Sequence, residues 1–435
     1  MGGLLIENGR VIDGTGTPPR PRGWVLTDGE LIAAVGEGTP PASKVPDGVR
    51  RIDAKGGSIL PGLINLHVHI HRRHLHRPMS QTAFRAGARA VEALPDTLRI
   101  LWALRNLWWE MQEGATTFRE ISSKHRINLT IKQAIQMGIF KGPRLFCCGQ
   151  GVGMTGGHGS HGGGGTSEAD GPDEVRKAVR AELKAGVDFI KVMASAGLAA
   201  MPDEDPRMVE FSVAELRAAC EEAHARHRRV AAHAYPAQAI KNCVLAGVDC
   251  IEHGSIMDDE TIAMMVERKT CYVPTMTGMY NFWQREVQYG RKDIADTIRA
   301  VILEPHRVSV AKCHAQGVRI GTGTDTLGQL NQEIEMLHDC GIPTMDCLRA
   351  ATSVGAEIMG LEDEIGTLEP AKRADVLIVD GNPAENLTAL RNVRTVIHDG
   401  WIVDGETLAV FGGAHSLRTA PTVEAAVGAG AGGHA

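Results

Sequence analysis

The stretch Pro61-Gly62-Leu63-Ile64-Asn65-Leu66-His67-Val68-His69 decides the fold that we expect. It is an apolar run that ends in two histidines, and their two-residue spacing places both imidazoles on one face of a strand. Short β-rich runs alternate with helical stretches from here on, which is typical of a parallel sheet. The runs are 63–69, 116–121, 144–149, 188–195, 229–235, 250–254, 271–276 and 318–325. Eight runs predict an α/β protein with a (β/α)8 TIM-like barrel, and a doubly wound open sheet is the alternative.

Both flanks of this central region have a different pattern. Residues 4–36 and the residues after 374 alternate short apolar runs with turn dipeptides such as Asn8-Gly9, Asp28-Gly29 and Asp399-Gly400. Such spacing is typical of small antiparallel hairpins. We therefore expect a small β-sandwich domain from residues 1–57 and 367–422, a barrel from residues 58–366, and a disordered Gly- and Ala-rich tail from residues 423–435.

Composition limits the class of protein and of partner. The 435 residues carry a net charge of −6 without a Lys/Arg-rich block, which argues against nucleic acid as a partner. No apolar run is long enough to cross a bilayer, so we expect no membrane partner. Nine cysteines without repeated CxxC spacing indicate reduced core residues rather than disulfides. We expect a soluble, cytoplasmic protein that acts on a small molecule and forms homo-oligomers.

Residues that bind metals recur near the ends of the predicted strands. In a barrel the carboxyl ends of the strands face the active-site mouth. A single histidine or lysine in an apolar run is more often a packed core residue. Repetition on successive strands favours a shared metal site instead, and the absence of an HExxH motif leaves a thermolysin-like site without support. The candidates are His67, His69, Lys191, His233, His253 and Asp325.

With these residues in this order, the chain resembles the amidohydrolase superfamily over nearly its whole length. It resembles in particular the branch of Xaa-Pro dipeptidases and imidazolonepropionase-like enzymes. Asn65 departs from the pattern, since related sequences usually carry aspartate at this supporting position. The resemblance implies two divalent ions, for which we expect zinc, and a carboxylated Lys191 that bridges them. One ion would be held by His67, His69 and Asp325, and the other by His233 and His253.

The same resemblance implies a mechanism. A metal-bridging hydroxide would attack the scissile carbonyl, because the cations lower the pKa of a bound water and polarise the substrate. Asp325 would then carry the proton from the nucleophile to the leaving amine. The catalytic residues that we predict are Asp325, Lys191 and a loop histidine, His158.

His158 lies in a glycine-rich loop, residues 149–162, that contains a formal GxGxxG. More glycines follow it instead of a helix, which argues against a dinucleotide site. The loop resembles the Gly-Gly-His-Gly loop of the same branch, whose histidine points at the substrate carbonyl. His158 would thus stabilise the oxyanion, unless the loop is merely flexible and exposed.

Four more residues are candidate substrate contacts. Tyr235 resembles the tyrosine that grips the substrate carboxylate in related dipeptidases, although packing would also explain it. Arg72, in a basic run that follows the first strand, could meet an acidic substrate end or lie in a solvated loop. Tyr280 and Trp283 concentrate aromatic side chains after the seventh strand, either as a wall for an apolar group or as a helix packed on the barrel.

The sequence predicts an amidase or dipeptidase that cleaves a dipeptide-like or N-acyl amino acid substrate. Hydrolysis of ureas, carbamates or cyclic amides needs the same metals and stays open as the alternative. A deaminase is less favoured, because Ala234-Tyr235-Pro236-Ala237 stands where such enzymes carry a helper glutamate after the strand-five histidine. The complete ligand set argues against a non-catalytic binding protein on the same fold.

Overall fold

The computed structural model describes residues 2–72, 94–160, 165–198, 201, 204–326 and 328–403. The predicted tail and His161 lie outside the described residues. The strands are β1 (Leu4–Val11), β2 (Arg20–Asp28), β3 (Leu31–Glu37), β4 (Arg50–Asp53), β5 (Ser58–Pro61), β6 (Leu63–Val68), β7 (Ala115–Glu120), β8 (Arg144–Cys147), β9 (Gly151–Gly153), β10 (Thr166–Glu168), β11 (Phe189–Met193), β12 (Arg229–Pro236), β13 (Cys250–Ile256), β14 (Cys271–Val273), β15 (Val376–Val379), β16 (Val393–His398) and β17 (Trp401–Ile402).

Helices alternate with the central strands. They are α1 (Asp96–Gln112), α2 (Ile127–Gln136), α3 (Gly171–Ala185), α4 (Val213–His224), α5 (Ala237–Ala246), α6 (Asp259–Arg268), α7 (Met276–Gln288), α8 (Lys292–Ile298), α9 (Glu304–Ala315), α10 (Leu330–Asp339), α11 (Thr344–Ala350) and α12 (Ser353–Met359). Short 3₁₀ turns span Ala42–Lys44, Lys124–Arg126 and Leu387–Arg391, and a π-helical turn, Arg299–Leu303, joins α8 to α9. The start of α4 shows the local cause of one boundary, a capping box in which Ser212 and Glu215 satisfy each other's backbone N–H.

Strands from both flanks form one eight-stranded sheet in the order β17-β16-β15-β5-β1-β2-β3, with β4 parallel to β1. β5 lies just inside the range predicted for the barrel but belongs to this sheet, and its antiparallel pairing with β15 joins the two flanks. The predicted turns at Asp28-Gly29 and Asp399-Gly400 connect β2 to β3 and β16 to β17. The predicted turn at Asn8-Gly9 is wrong. Both residues lie inside β1, which shifts its register against β2 there and continues along β5, where Arg10 pairs with Ser58.

The central region contains two parallel sheets, β6-β7-β8 and β10-β9-β11-β12-β13-β14. Seven of the eight predicted runs coincide with strands of these sheets. The eighth run is not a regular strand, but it joins the two sheets through parallel bridges from Ile320 to Tyr272 and from Asp325 to Val68. On the other side, the Asp188 N–H donates to the Cys147 carbonyl, 2.9 Å away, and connects the edge strand β8 to the start of β11.

The eight-stranded sheet is anchored to the central region by a partly buried ion pair network. Arg144, on β8, lies 2.5 Å from Asp375 and 2.6 Å from Asp399, which flank β15 and β16. The nine cysteines form no disulfide, and all except Cys340 are buried, as predicted for reduced core residues. Of the helices that the structure describes, none has the length and apolar character needed to cross a membrane.

Candidate metal centre

The carboxyl ends of the parallel strands bring the predicted ligands together. The imidazole centroids of His67 and His69 lie 5.4 Å apart, those of His67 and His253 4.9 Å, and those of His233 and His253 4.6 Å. His67, His253 and Asp325 each offer a ligand atom within 4.8 Å of the others. Nε2 of His69 lies 3.6 Å from a carboxylate oxygen of Asp325. Five candidate ligands thus meet in one buried cluster.

Two of these histidines each use Nδ1 to contact an acceptor behind the ring. Nδ1 of His67 lies 2.8 Å from the Glu252 carboxylate, and Nδ1 of His69 lies 3.2 Å from the Ser122 carbonyl. A carboxylate or a carbonyl can only accept, so the proton of each neutral ring belongs on Nδ1. Nε2 of both rings therefore keeps its lone pair for a cation.

The other two histidines follow the same rule. Nδ1 of His253 lies 2.7 Å from the Thr275 hydroxyl, which donates its own proton to the Pro274 carbonyl and so accepts from the ring. Nε2 of His233 lies 3.2 Å from the Ala196 carbonyl, which leaves Nδ1 as its free acceptor. In all four rings one nitrogen is held by the protein, and the other carries a lone pair.

Burial determines the protonation of this cluster. It lowers the pKa of His67, His69, His233 and His253 well below 6.5, so the four rings are neutral near pH 7. Burial also lowers the pKa of the Lys191 amine to about 8. Among the described residues, the Lys191 Nζ has no hydrogen-bond partner. A buried amine without a partner is costly, and its charge is among the causes that lower the pKa of His67, His233 and His253.

Two candidate ligands and a hydrogen-bond partner of one of them adopt left-handed backbone conformations. The φ angles are +71° at His253, +57° at Asp325 and +57° at Thr275. Such angles are strained for residues with a Cβ, and strain of this kind concentrates at functional sites. Glycines allow the close approach around them. A Cβ on Gly278 would lie 2.8 Å from that of Asp325, and one on Gly323 would lie 2.6 Å from that of His67.

Asn65, which departs from the family pattern, supports the cluster from behind. Its amide nitrogen donates to the Thr324 hydroxyl over 2.8 Å. Its amide oxygen accepts from the backbone N–H of His67 and of Thr324, each over 3.3 Å. An amide provides the donor that an ionised carboxylate lacks, so asparagine ties β6 to the segment that carries Asp325.

His158 lies against this cluster. Its ring stacks on that of His233, with centroids 4.0 Å apart and an interplanar angle of 13°. Nδ1 of His158 lies 3.0 Å from the Glu204 carboxylate, and its backbone N–H donates to Glu210 over 2.9 Å. The predicted glycine-rich loop thus brings its histidine to the predicted ligands.

Tyr235 is buried, with only 2% of its surface exposed. Its ring stacks on His253 at 5.0 Å, and its hydroxyl donates to the Met279 sulfur over 2.9 Å. Burial raises the pKa of this phenol well above 10. Trp283, on α7, packs against the apolar cluster that contains Tyr235, and the Tyr280 ring lies 5.5 Å from the Trp283 ring.

Arg72 follows β6, the strand that leads into His69, and is half-buried. Its carbonyl accepts from Trp102 and Asn106 on α1 over 3.3 and 2.8 Å. Burial is the main cause that lowers the pKa of His69, and the positive charge of Arg72 is the second cause.

The sequence reasoning missed the groups that orient the imidazoles. Glu252 was detectable, because a carboxylate in the buried run Cys250-Ile251-Glu252-His253 needs a partner. Its second partner, Arg119, lies 2.5 Å away and also donates to the Leu66 carbonyl. The carbonyls of Ser122 and Ala196 give no signal in a sequence, because every residue has one.

A second group of possible ligands lies in the eight-stranded sheet, namely Asp375, His398 and Asp399. Arg144 pairs with both carboxylates, and Arg373 pairs with Asp399 over 2.6 Å. Since their charges are already balanced, these residues serve as an anchor rather than as a cation site.

The comparisons with known proteins show the family of this chain. A model of the amidohydrolase family matches residues 58–405. Ochratoxinase of Aspergillus niger is 26% identical over 428 residues, covering 91% of this chain and 84% of that protein. A crystal structure of a Xaa-Pro dipeptidase with methionine bound in the active site has a TM-score of 0.81 at 28% identity, covering 92% of this chain and 99% of that one. A 5-methylthioadenosine/S-adenosylhomocysteine deaminase of Symbiobacterium thermophilum is 25% identical over 418 residues, covering 87% of this chain and 85% of that protein.

Proposed function

Because this chain belongs to the amidohydrolase family and is a hydrolytic enzyme, we propose that it cleaves an amide bond of a dipeptide-like or N-acyl amino acid substrate at a metal centre. One observation carries the metal centre. Each of four neutral, buried imidazoles donates one N–H to the protein and keeps the second nitrogen free, which is how histidine ligands are oriented. The unpartnered amine of Lys191 is the fifth buried group that needs a partner.

These donors fit two divalent cations, which we expect to be zinc, because imidazole nitrogens and carboxylate oxygens are its ligands. When bound, the cations acidify a water molecule and polarise the scissile carbonyl. The residues that would hold them are His67, His69, His233, His253 and Asp325, with Lys191 carboxylated between them. Carboxylation suits a lysine whose pKa of about 8 leaves part of its amine neutral near pH 7.

The chain's own residues then handle the protons. We assign to Asp325 the transfer of a proton from the attacking water to the leaving amine. The Thr326 hydroxyl, 3.0 Å from one Asp325 oxygen, steadies the carboxylate. We assign to His158 the stabilisation of the oxyanion that forms on the substrate, since its ring stacks on His233 at the edge of the cluster.

We further infer that the two parallel sheets and the eighth run form one (β/α)8 barrel. The parallel bridges of Ile320 and Asp325 on one side and the contact of Asp188 with Cys147 on the other support this inference. Residues 1–57 and 367–422 would form the companion domain, which the shared eight-stranded sheet supports.

The substrate proposal rests on the relatives and on three side chains. The relatives are named for Xaa-Pro dipeptides and for ochratoxin. Arg72 offers a positive charge to an acidic substrate end. Trp283 and the apolar cluster around Tyr235 offer an apolar wall on another side.

The test is a substrate screen of the purified protein, loaded with zinc and bicarbonate. We expect turnover of dipeptides or N-acyl amino acids, abolished by a chelator and restored by added metal. Aryl ureas, carbamates, cyclic amides and adenosine-type amines form the comparison panel. Turnover confined to ureas, carbamates or cyclic amides would replace the substrate class, and ammonia release from the adenosine-type amines would indicate a deaminase.

A further inference from the structure

Two carboxylates tie the loop of His158 to the residues that follow β11. Glu204, 8% exposed, accepts from Nδ1 of His158 and from the backbone N–H of Gly197, both over 3.0 Å. Glu210 accepts from the backbone N–H of His158 over 2.9 and 3.1 Å. Glu210 therefore holds the backbone of the loop histidine, whereas Glu204 contacts its imidazole.

We propose that Glu204 is a positioning residue, which fixes the His158 imidazole through Nδ1 and so presents Nε2 to the substrate. This inference rests on the proposed function, in which His158 meets the substrate oxyanion. Glu204 itself lies behind the ring and acts through it.

Three contacts together determine the orientation of the ring. Stacking on His233, at 4.0 Å and 13°, fixes its plane from one side. Gly197 lies against the ring, since a Cβ there would come within 2.2 Å of the His158 Cε1. Neither contact prevents a 180° flip of the ring about its Cβ–Cγ bond, which would put Cδ2 where Nδ1 now lies. The hydrogen bond to Glu204 does prevent this, because only one nitrogen can meet the carboxylate.

The tautomer follows from the same bond. An ionised carboxylate only accepts, so the proton on Nδ1 points to Glu204. Nε2 is then the nitrogen that faces the substrate, and it donates to an oxyanion when the ring carries a proton on both nitrogens. Without Glu204 the ring could flip, and the fraction of the enzyme with Nε2 toward the substrate would fall.

The alternative is that Glu204 only anchors the chain through the N–H of Gly197. Glu204→Gln separates the two roles, because glutamine keeps an oxygen for Gly197 but loses the charge that orients the ring. A matched control is Glu168→Gln. Glu168 accepts a backbone N–H of the same loop, from Gly156 over 3.0 Å, without contacting His158.

The first experiment is a double-mutant cycle on kcat, with Glu204→Gln, His158→Asn and the double variant. We expect Glu204→Gln to lower kcat about 10- to 100-fold, the usual loss when a carboxylate that orients a histidine is removed, with KM little changed. In the His158→Asn background the same substitution should cost less than about twofold, because the ring that it positions is gone. Glu168→Gln should stay within about twofold of the parent. Equal losses from Glu204→Gln in both backgrounds would overturn the proposal.

The second experiment does not depend on turnover. Nitrogen-15 NMR of the imidazoles, assigned with His158→Asn, should show Nδ1 of His158 protonated in the parent and in Glu168→Gln. In Glu204→Gln the Nδ1 signal should move toward the average of exchanging tautomers. An unchanged His158 spectrum in Glu204→Gln would contradict the positioning role even if the enzyme proved to have another substrate. A changed spectrum without amide turnover would keep that role and reject the proposed function.

Discussion

The Glu252 carboxylate lies 2.8 Å from Nδ1 of His67, and both side chains are buried almost completely. Arg119 lies on the other oxygen of the same carboxylate and balances its charge. Glu252 directly precedes His253 on β13, so one strand supplies both a candidate ligand and the group that orients its neighbour. The ligand cluster is thus built together with its supporting residues, rather than from isolated histidines.

We predict that Glu252→Gln lowers the metal affinity of the protein about 10- to 100-fold, the usual effect of losing a carboxylate that orients a histidine ligand. The amide can place its NH2 group toward Nδ1 and so favour the wrong tautomer of His67. Competition with a chromogenic chelator measures the affinity. Glu222→Gln, which removes an exposed pairing with Arg180, is the control, and affinities equal in both variants would contradict the orienting role.

The metal content gives a second prediction. The protein should bind close to two divalent ions per chain when it is grown with adequate zinc and bicarbonate, as elemental analysis measures. Lys191→Ala should abolish metal binding and turnover while the circular dichroism spectrum stays that of the parent, because only the bridging side chain is lost. Fewer than about half an ion per chain in the parent, or full turnover in Lys191→Ala, would exclude the binuclear centre.

His158→Asn should lower kcat about 100- to 1000-fold, the range for one lost oxyanion donor, with little change in KM or metal content. Steady-state kinetics on the best substrate of the screen measure both constants. His161→Asn, three residues further along the chain, is the control for general disturbance of the loop. A steep rise in KM with unchanged kcat would instead make His158 a binding residue, and equal losses at both positions would refute its assignment.

Glu333 gives a prediction for pH. It is fully buried on α10 and accepts the backbone N–H groups of Met276 and Thr277, yet burial raises its pKa from 4.5 to about 7. A carboxyl whose folded-state pKa is raised stabilises the fold in its protonated form. Its contribution is complete below about pH 4.5 and is lost as the pH rises through about 7.

Glu333→Gln should therefore reduce the loss of unfolding free energy between pH 5 and pH 8 by about 1 to 3 kcal/mol. Denaturant unfolding at fixed metal concentration measures this difference. Glutamine has one oxygen for the two backbone N–H donors, and the cost of the lost hydrogen bond is the same at both pH values, so it does not contribute to the difference. Glu335→Gln, on the same helix and paired with Arg391 at the surface, should keep the pH dependence of the parent. Identical pH profiles for Glu333→Gln and the parent would show that Glu333 is ionised throughout.

The candidate site was more predictable than its supporting residues. His67, His69, His233 and His253 could be found because imidazoles at the ends of apolar runs are rare. Their orientation depends on the carbonyls of Ser122 and Ala196, and no residue type encodes a carbonyl. The Glu204–His158 contact joins residues 46 positions apart on two irregular loops, where neither strand nor helix periodicity applies.

The fold also has features that the local sequence predicted and features that it did not. The alternation of apolar and polar residues predicted β15 and β16 correctly. The Asn8-Gly9 pair predicted a turn that does not form, because its preference is local, whereas the pairing of β1 with β5 depends on residues far along the chain. The eighth run carries Asp325 as predicted, but it makes only isolated parallel bridges at Ile320 and Asp325, and it ends at the left-handed φ of Asp325. Local preferences were therefore overridden where long-range pairing or the site itself determined the backbone.

The pairing of β5 with β15 has a consequence for synthesis of the chain. Ser58 donates to the carbonyl of Gly381, a partner 323 residues further along. At translation rates of about 5 to 20 residues per second, β5 waits roughly 15 to 65 s on the ribosome before its neighbour exists. During that time the nascent chain exposes an open strand edge with apolar residues such as Ile59, a surface on which chaperones act.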